Sequence, residues 1–304
     1  MQIMYESHEK VANERTQDAE FAGNFANLPG LRLHYLAAGS GPSVVLLHGF
    51  PEFSWTWKHQ LRALVAAGFR GLAPDLRGYH LSDKPTGVRA YAIEELVGDV
   101  AAFIESEAGG RAIVVGHDWG GVIAWRLAAW RPELVSRLAI LNAPLPAAYS
   151  RELRRNPLQW LRSWYMLCFQ VPGLAEWALA RRNFAALDGT FRDAAGRSLF
   201  SAEDRERFKE AMAVPGTLTA ALNYYRAAFR FGRGFAASPQ TITVPTLVVW
   251  GERDPYLGSG LSRGLERWVT DLRVERLPNV GHWVQHEAPE HVNQLLLSFF
   301  QESR

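Results

Sequence analysis

The chain has 304 residues, 48% of them hydrophobic, with 33 basic and 31 acidic side chains and one cysteine, Cys168. This balance excludes a mainly disordered chain, offers no basic block for nucleic acid, and leaves no internal disulfide or multi-cysteine metal site. No window supplies the ~20 unbroken apolar residues of a membrane span. The first twenty residues are polar without an apolar signal core, so the expectation is a cytoplasmic protein with a loose N-terminal tail and no membrane partner.

Two strand-like runs open the fold, Phe21–Asn27 and Leu31–Ala37, separated by Pro29 and Gly30. Ser43–Leu47 (SVVLL) does not alternate and reads as a strand buried on both faces. Trp57, Leu61, Leu64 and Val65 fall at helical spacing, and Gly68 ends that helix. A short strand, Gly71–Ala73, leads into Pro74 and Asp75. Ile93, Leu96, Val97, Val100, Phe103 and Ile104 mark an amphipathic helix. Then come a strand at Arg111–Val115, a helix from about Gly120 to Trp130, and a strand at Leu138–Leu141. Such alternation predicts a parallel sheet with helices on both faces. The pattern breaks at Pro144-Leu145-Pro146 and reads as helices up to Pro239. It resumes with a strand at Thr246–Trp250, a helix near Ser259–Val269, a strand at Leu272–Leu277 and a closing helix at His291–Phe300. The sequence therefore predicts an α/β core, residues 1–144 and 240–304, with a helical insert, residues 145–239.

Gly116-His117-Asp118-Trp119-Gly120-Gly121 lies between a buried strand and a helix. It fits the G-x-nucleophile-x-G elbow, with Asp118 in the nucleophile position. A carboxylate initiates amide or ester cleavage poorly, but it can displace a leaving group from an sp³ carbon and form an alkyl-enzyme ester. Epoxides and alkyl halides are suitable electrophiles. The bland alternative, an aspartate capping the helix, accounts less well for the glycine frame.

Two further motifs follow in the order nucleophile, acid, histidine. Asp254, in Gly251-Glu252-Arg253-Asp254-Pro255, can orient His282, in Gly281-His282-Trp283. Glu252 competes for the acid role but points opposite to Asp254 if the strand pleat persists. A carboxylate needs no deprotonation to attack, so His282 is free to activate water against the ester. Backbone amides of Phe50 and Trp119 are the expected oxyanion donors. His34, His59, His80, His286 and His291 read as structural.

These motifs, His48–Glu52 (HGFPE), Gly116–Gly121, Gly251–Pro255 and Gly281–Gln285, resemble those of the α/β-hydrolase-fold epoxide hydrolases from about Phe21 to the C-terminus. The resemblance implies a mostly parallel eight-stranded sheet flanked by helices, with the insert as a helical cap. It also implies two cap tyrosines over the nucleophile. Tyr165 precedes Phe169-Gln170-Val171-Pro172-Gly173, and Tyr225 lies in Leu222-Asn223-Tyr224-Tyr225-Arg226, with Tyr224 in the neighbouring aromatic slot. Two phenols of pKa ~10 can hydrogen-bond an epoxide oxygen and protonate the emerging alkoxide. A cis Phe50–Pro51 bond is implied as well. Two positions depart from the family pattern: Val171 stands where Glu is common, and His80 stands where relatives usually have Gly, which means modest strain if that position needs positive φ.

The resemblance leads to an epoxide hydrolase that needs no cofactor or metal. Its partners would be water and an apolar or aromatic small-molecule epoxide, and it would be a monomer or homodimer. Trp160, Trp164, Leu167, Trp177 and Phe184 are candidate lining for a pocket between core and cap. A haloalkane dehalogenase would share Asp118, Asp254 and His282. It would need halide donors such as the Trp119 indole, and it leaves the tyrosine pair unexplained. A non-catalytic ligand-binding protein of the same fold is the other alternative.

Overall fold

The structure, a computed structural model, describes residues 21–232 and 241–302. The N-terminal tail and the expected boundary at residues 239 and 240 lie outside the described residues. Eight strands form one sheet: β1 (Ala22–Leu28), β2 (Leu31–Ala38), β3 (Ser43–Leu47), β4 (Arg70–Pro74), β5 (Ala112–His117), β6 (Val135–Leu141), β7 (Thr246–Gly251) and β8 (Leu272–Leu277). Their spatial order is β1-β2-β4-β3-β5-β6-β7-β8. β2 runs antiparallel to β1 and β4, and all other pairs are parallel.

The central strands are buried on both faces, which is why their sequences are unbroken apolar runs. Alternate residues feed two cores. Val45, Val114, Ile140 and Val248 pack toward α2 (Ile93–Glu107) and α3 (Asp118–Trp130). Val44, Val115, Ala139 and Val249 pack toward α1 (Lys58–Ala66) and the last helix of the chain. Between β6 and β7 the chain runs through α4 (Pro146–Arg155), α5 (Pro157–Arg162), α6 (Tyr165–Cys168), α7 (Leu174–Thr190), α8 (Ala202–Ala213) and α9 (Thr217–Phe231). α7 is interrupted by non-helical backbone at Arg181–Phe184. After β8 come α10 (Val284–Glu287) and α11 (Pro289–Gln301). Phe169, Phe191, Phe208 and Tyr224 of the helical segment join the same hydrophobic cluster as α2 and α3, so the insert sits on the core through a continuous apolar contact.

Three local expectations need correction. No α-helix forms over Ser259–Val269, where two short 3₁₀ turns, Ser259–Ser262 and Leu265–Arg267, stand instead. Gly264 lies between them at φ 67, a left-handed backbone that breaks a right-handed helix. Val65 is 45% exposed, whereas Trp57, Leu61 and Leu64 of the same stripe are buried. The helix after β5 begins at Asp118, two residues before Gly120.

Strand register brings the motifs together at the carboxyl edge of the sheet, where α/β sheets bind ligands. Leu47 pairs with Gly116, so the turn after β3 lies beside the β5–α3 elbow. Leu141 pairs with Val249 and Gly251 with Leu277, which brings the ends of β6, β7 and β8 alongside.

Candidate active site

Asp118 sits at the elbow with φ 49, the left-handed backbone that a sharp strand-to-helix turn demands. The turn closes tightly: a Cβ on Gly120 would lie 2.1 Å from the Leu47 carbonyl oxygen. Asp118 is the first residue of α3 and not its cap, a position held by His117. Its Oδ1 accepts a 2.9 Å hydrogen bond from the Phe50 amide. The Phe50–Pro51 bond is cis, as the resemblance implies.

His282 is buried, with Nε2 3.7 Å from Asp118 Oδ2 and Nδ1 2.7 Å from Asp254 Oδ2. The acid on His282 is thus Asp254 and not Glu252. Burial alone would push this imidazole down, but the carboxylates of Asp254 and Asp118 outweigh it and hold its pKa up at about 9. Asp254 is itself saturated. Oδ1 accepts from the Tyr256 and Leu257 amides at 2.7 and 2.8 Å, and Oδ2 also accepts from Asn142 Nδ2 at 2.7 Å. Its pKa is lowered: burial opposes ionisation, but the His282 charge and these donors prevail.

The two aromatic residues of the helical segment converge on the same place. Tyr165 and Tyr225 have ring centroids 6.0 Å apart. Tyr225 packs edge-on against Trp119 at 5.1 Å and Phe50 at 5.6 Å. Burial, reinforced by the Asp118 carboxylate, raises both phenol pKa values well above the ordinary tyrosine value, so both hydroxyls keep their protons. Tyr224 is committed elsewhere, donating to the Arg77 carbonyl at 2.8 Å. Phe169 and Tyr256 complete the aromatic wall around Tyr165, at 5.4 and 5.8 Å.

The five side chains expected to line a pocket are not gathered here. Trp160, Trp164, Leu167 and Trp177 are more than half exposed, and Phe184 is buried. A separate recess lined by Tyr91, Ile93, Trp119, Tyr224 and Phe231 includes none of Asp118, Tyr165 and His282, so it is not the reaction chamber.

Three supporting residues had no role in the sequence reading. Asn142, at φ 37, joins the strand ends: its Oδ1 accepts from the Gly251 amide at 2.7 Å while its Nδ2 donates to Asp254. An asparagine directly after the apolar run Leu138–Leu141 was the available signal. The buried Glu52 and His117 form the other pair, Oε2 to Nδ1 at 2.8 Å. His117 Nε2 lies 3.0 Å from the His282 carbonyl oxygen. Burial would raise the Glu52 pKa, but His117 and His286 hold it well below the usual carboxylate range. Of the histidines read as structural, His34 and His80 share a partner: the Nδ1 of each contacts Asp75 Oδ2, at 2.7 and 2.9 Å, with His80 at φ 43.

Comparison with known proteins bears on this arrangement. A family model for the alpha/beta hydrolase fold matches residues 42–289. The AB hydrolase superfamily protein YfhM of Bacillus subtilis (strain 168) is 43% identical over 277 residues, covering 90% of this chain and 96% of its own. Epoxide hydrolase 3 of Xenopus tropicalis is 36% identical over 281 residues, covering 90% and 76%. The crystal structure of an epoxide hydrolase from Bacillus megaterium in complex with an inhibitor matches with a TM-score of 0.84 at 32% identity, covering 92% of this chain and 100% of the other. Sheet order, elbow and sequence kinship agree, and the chain belongs to the epoxide hydrolases of the alpha/beta-hydrolase fold.

Proposed function

We propose that the protein opens an epoxide with Asp118 and hydrolyses the resulting ester with water activated by His282. The observation that carries this reading is the single cluster of Asp118, His282–Asp254 and the protonated pair Tyr165 and Tyr225. Residues 145–239 act as the cap over a core of residues 1–144 and 240–304.

Oδ1 of Asp118 rests on the Phe50 amide, which leaves Oδ2 to attack an epoxide carbon. As the C–O bond breaks, the ring oxygen leaves with the electron pair and takes a phenolic proton from Tyr165 or Tyr225. Esterification removes the Asp118 charge, one of the three carboxylate charges, with Asp254 and Glu52, that hold the His282 pKa up. The imidazole can then release its proton, which passes through solvent to restore the phenol, and serve as a base, so the first step prepares the second. His282 next takes a proton from water, and the oxygen adds to Asp118 Cγ. Negative charge gathers on Oδ1, where the Phe50 amide, with that of Trp119, receives it. Collapse expels the alkyl oxygen, which takes the imidazolium proton; the new Asp118 carboxyl then gives its proton to His282, which restores the resting ion pair, and the vicinal diol leaves. The sum is epoxide plus water to diol. Dehalogenation would leave the pair Tyr165 and Tyr225 without a role, which favours epoxide opening.

The substrate class this wall favours is a neutral epoxide with apolar or aromatic substituents, held by Phe50, Trp119, Phe169 and Tyr256. The test is diol release from a panel of aryl and alkyl epoxides, with Asp118→Ala as the blank. Diol formed by the parent alone is the expected result. No diol from any member, with halide released from bromoalkanes instead, would replace the proposal by dehalogenation.

A further inference from the structure

The outer face of the helical insert carries apolar side chains where water would select polar ones. Leu158, Leu161, Trp164, Leu167, Val171, Leu174 and Trp177 recur every three or four residues, each between 47% and 68% exposed. The polar side chains between them point inward. Gln159 is buried and donates to Ser163 Oγ at 3.1 Å and to the Tyr256 carbonyl at 2.9 Å. Amphipathicity is therefore inverted over this stretch. Single exposed apolar residues are ordinary, but a run of them marks a surface that something covers.

The charges at its edges have one sign. Arg154 and Arg155 before the run, and Arg181 and Arg182 after it, are exposed. Between residues 153 and 187 the sole acidic side chain is Glu176, and both its oxygens are held by Arg226 at 2.8 and 3.0 Å. The Arg181 guanidinium lies 4.5 Å above the Trp177 ring. Exposed Leu and Trp bordered by arginines, with no free carboxylate among them, complement an anionic lipid surface. The apolar side chains would enter the boundary between headgroups and acyl chains while the guanidiniums meet phosphates. A second copy of the chain fits worse, because a two-fold contact through this face sets arginine against arginine.

We propose that this face, Leu158–Trp177 with its flanking arginines, docks the protein peripherally on anionic membranes. No helix among the described residues is long and apolar enough to cross a membrane, and docking requires none. Tyr165 belongs to the same segment, so docking would bring the reaction site close to a reservoir of apolar substrate. That consequence rests on the epoxide reading, whereas the docking does not.

The test is co-sedimentation of the full chain with vesicles of phosphatidylcholine alone and of phosphatidylcholine mixed with phosphatidylglycerol. Binding to the mixed vesicles only, released by high salt, is expected. Arg154→Gln/Arg155→Gln should weaken it about fivefold per arginine, and Leu158→Ser/Leu161→Ser should abolish it with the circular dichroism spectrum unchanged. The proposal fails if the protein stays in the supernatant with both vesicles. It also fails if analytical ultracentrifugation finds a dimer that the leucine variant dissociates, which would assign the face to a second copy.

Discussion

Replacing Gly49 by alanine puts one methyl group against Asp118, the proposed nucleophile. An ideal Cβ at residue 49 would lie 2.4 Å from Asp118 Cβ, 2.6 Å from Oδ1 and 2.9 Å from Cγ. Gly49 does not occupy the left-handed region, so alanine is compatible with its backbone and the perturbation is one of space. The nearest approach is about 1 Å inside the 3.4 Å at which ordinary contact begins. Asp118 has little freedom to yield, being fixed by its φ of 49 and by the Phe50 amide. A nucleophile displaced by ~1 Å should open the epoxide about 100-fold more slowly, equivalent to about 3 kcal/mol of barrier. Overpacking adds roughly 1–3 kcal/mol of lost stability. Intact-protein mass spectrometry under single turnover, in a His282→Gln background, measures alkylation alone, and thermal denaturation measures stability. Gly98→Ala serves as the control, since nothing lies within 4 Å of its added Cβ and it sits inside α2. A folded Gly49→Ala protein that alkylates within about threefold of its parent would refute the argument that this contact positions Asp118.

His282→Gln by itself should accumulate a covalent adduct of one epoxide mass on Asp118, and an enzyme that turns over without such an adduct would remove His282 from the hydrolytic step. Asn142→Ala strips Asp254 of one donor and leaves the buried Gly251 amide without its acceptor, costing about 1–3 kcal/mol. It should slow ester hydrolysis more than alkylation, and rapid-quench kinetics showing equal losses in both steps would count against a positioning role. Asp118→Asn keeps the side-chain shape and removes one of the three carboxylate charges that sustain His282 near 9, so NMR should find the imidazole titrating lower; an unmoved titration would contradict the coupling. The folded state binds this proton more tightly than the unfolded chain does. The stability it contributes is therefore complete below about 6.5 and fades as pH rises through about 9, and the Tm should fall over that window more in the parent than in Asp118→Asn.

The sheet was legible because its central strands are buried on both faces and so are written as SVVLL, AIVV and TLVVW, with glycine or proline punctuation. Residues 259–269 misled because a scatter of Leu and Trp at helical intervals outweighed Gly264, whose left-handed backbone decided the outcome. In the site, Asp118, Asp254 and His282 stood out because each occupies a fixed place in a short motif. Asn142, Glu52 and His117 did not, because their work is done across strand ends and over sequence separations of 65 and 109 residues. The cap aromatics were the hardest to read. Helical spacing locates a stripe of Leu and Trp but does not say whether it faces the core or the solvent, and here four of the five selected residues are largely exposed.

The ring of His117 touches Glu52 at one nitrogen and the His282 backbone oxygen at the other. The residue before the nucleophile is therefore fastened to the loop that carries the base, entirely by groups of the α/β core. Asp118, His282, Asp254 and the Phe50 amide share that frame, while Tyr165 and Tyr225 arrive on the helical insert. In the proposed mechanism ring opening thus draws on both the core and the insert, while ester hydrolysis draws on the core alone. On that mechanism, a change in the insert alters the surroundings of ring opening, while the ester that follows meets the same water-activating apparatus. The fold in this sense keeps the recovery of the enzyme within the core, and His117 is the rivet that leaves it indifferent to changes in the insert.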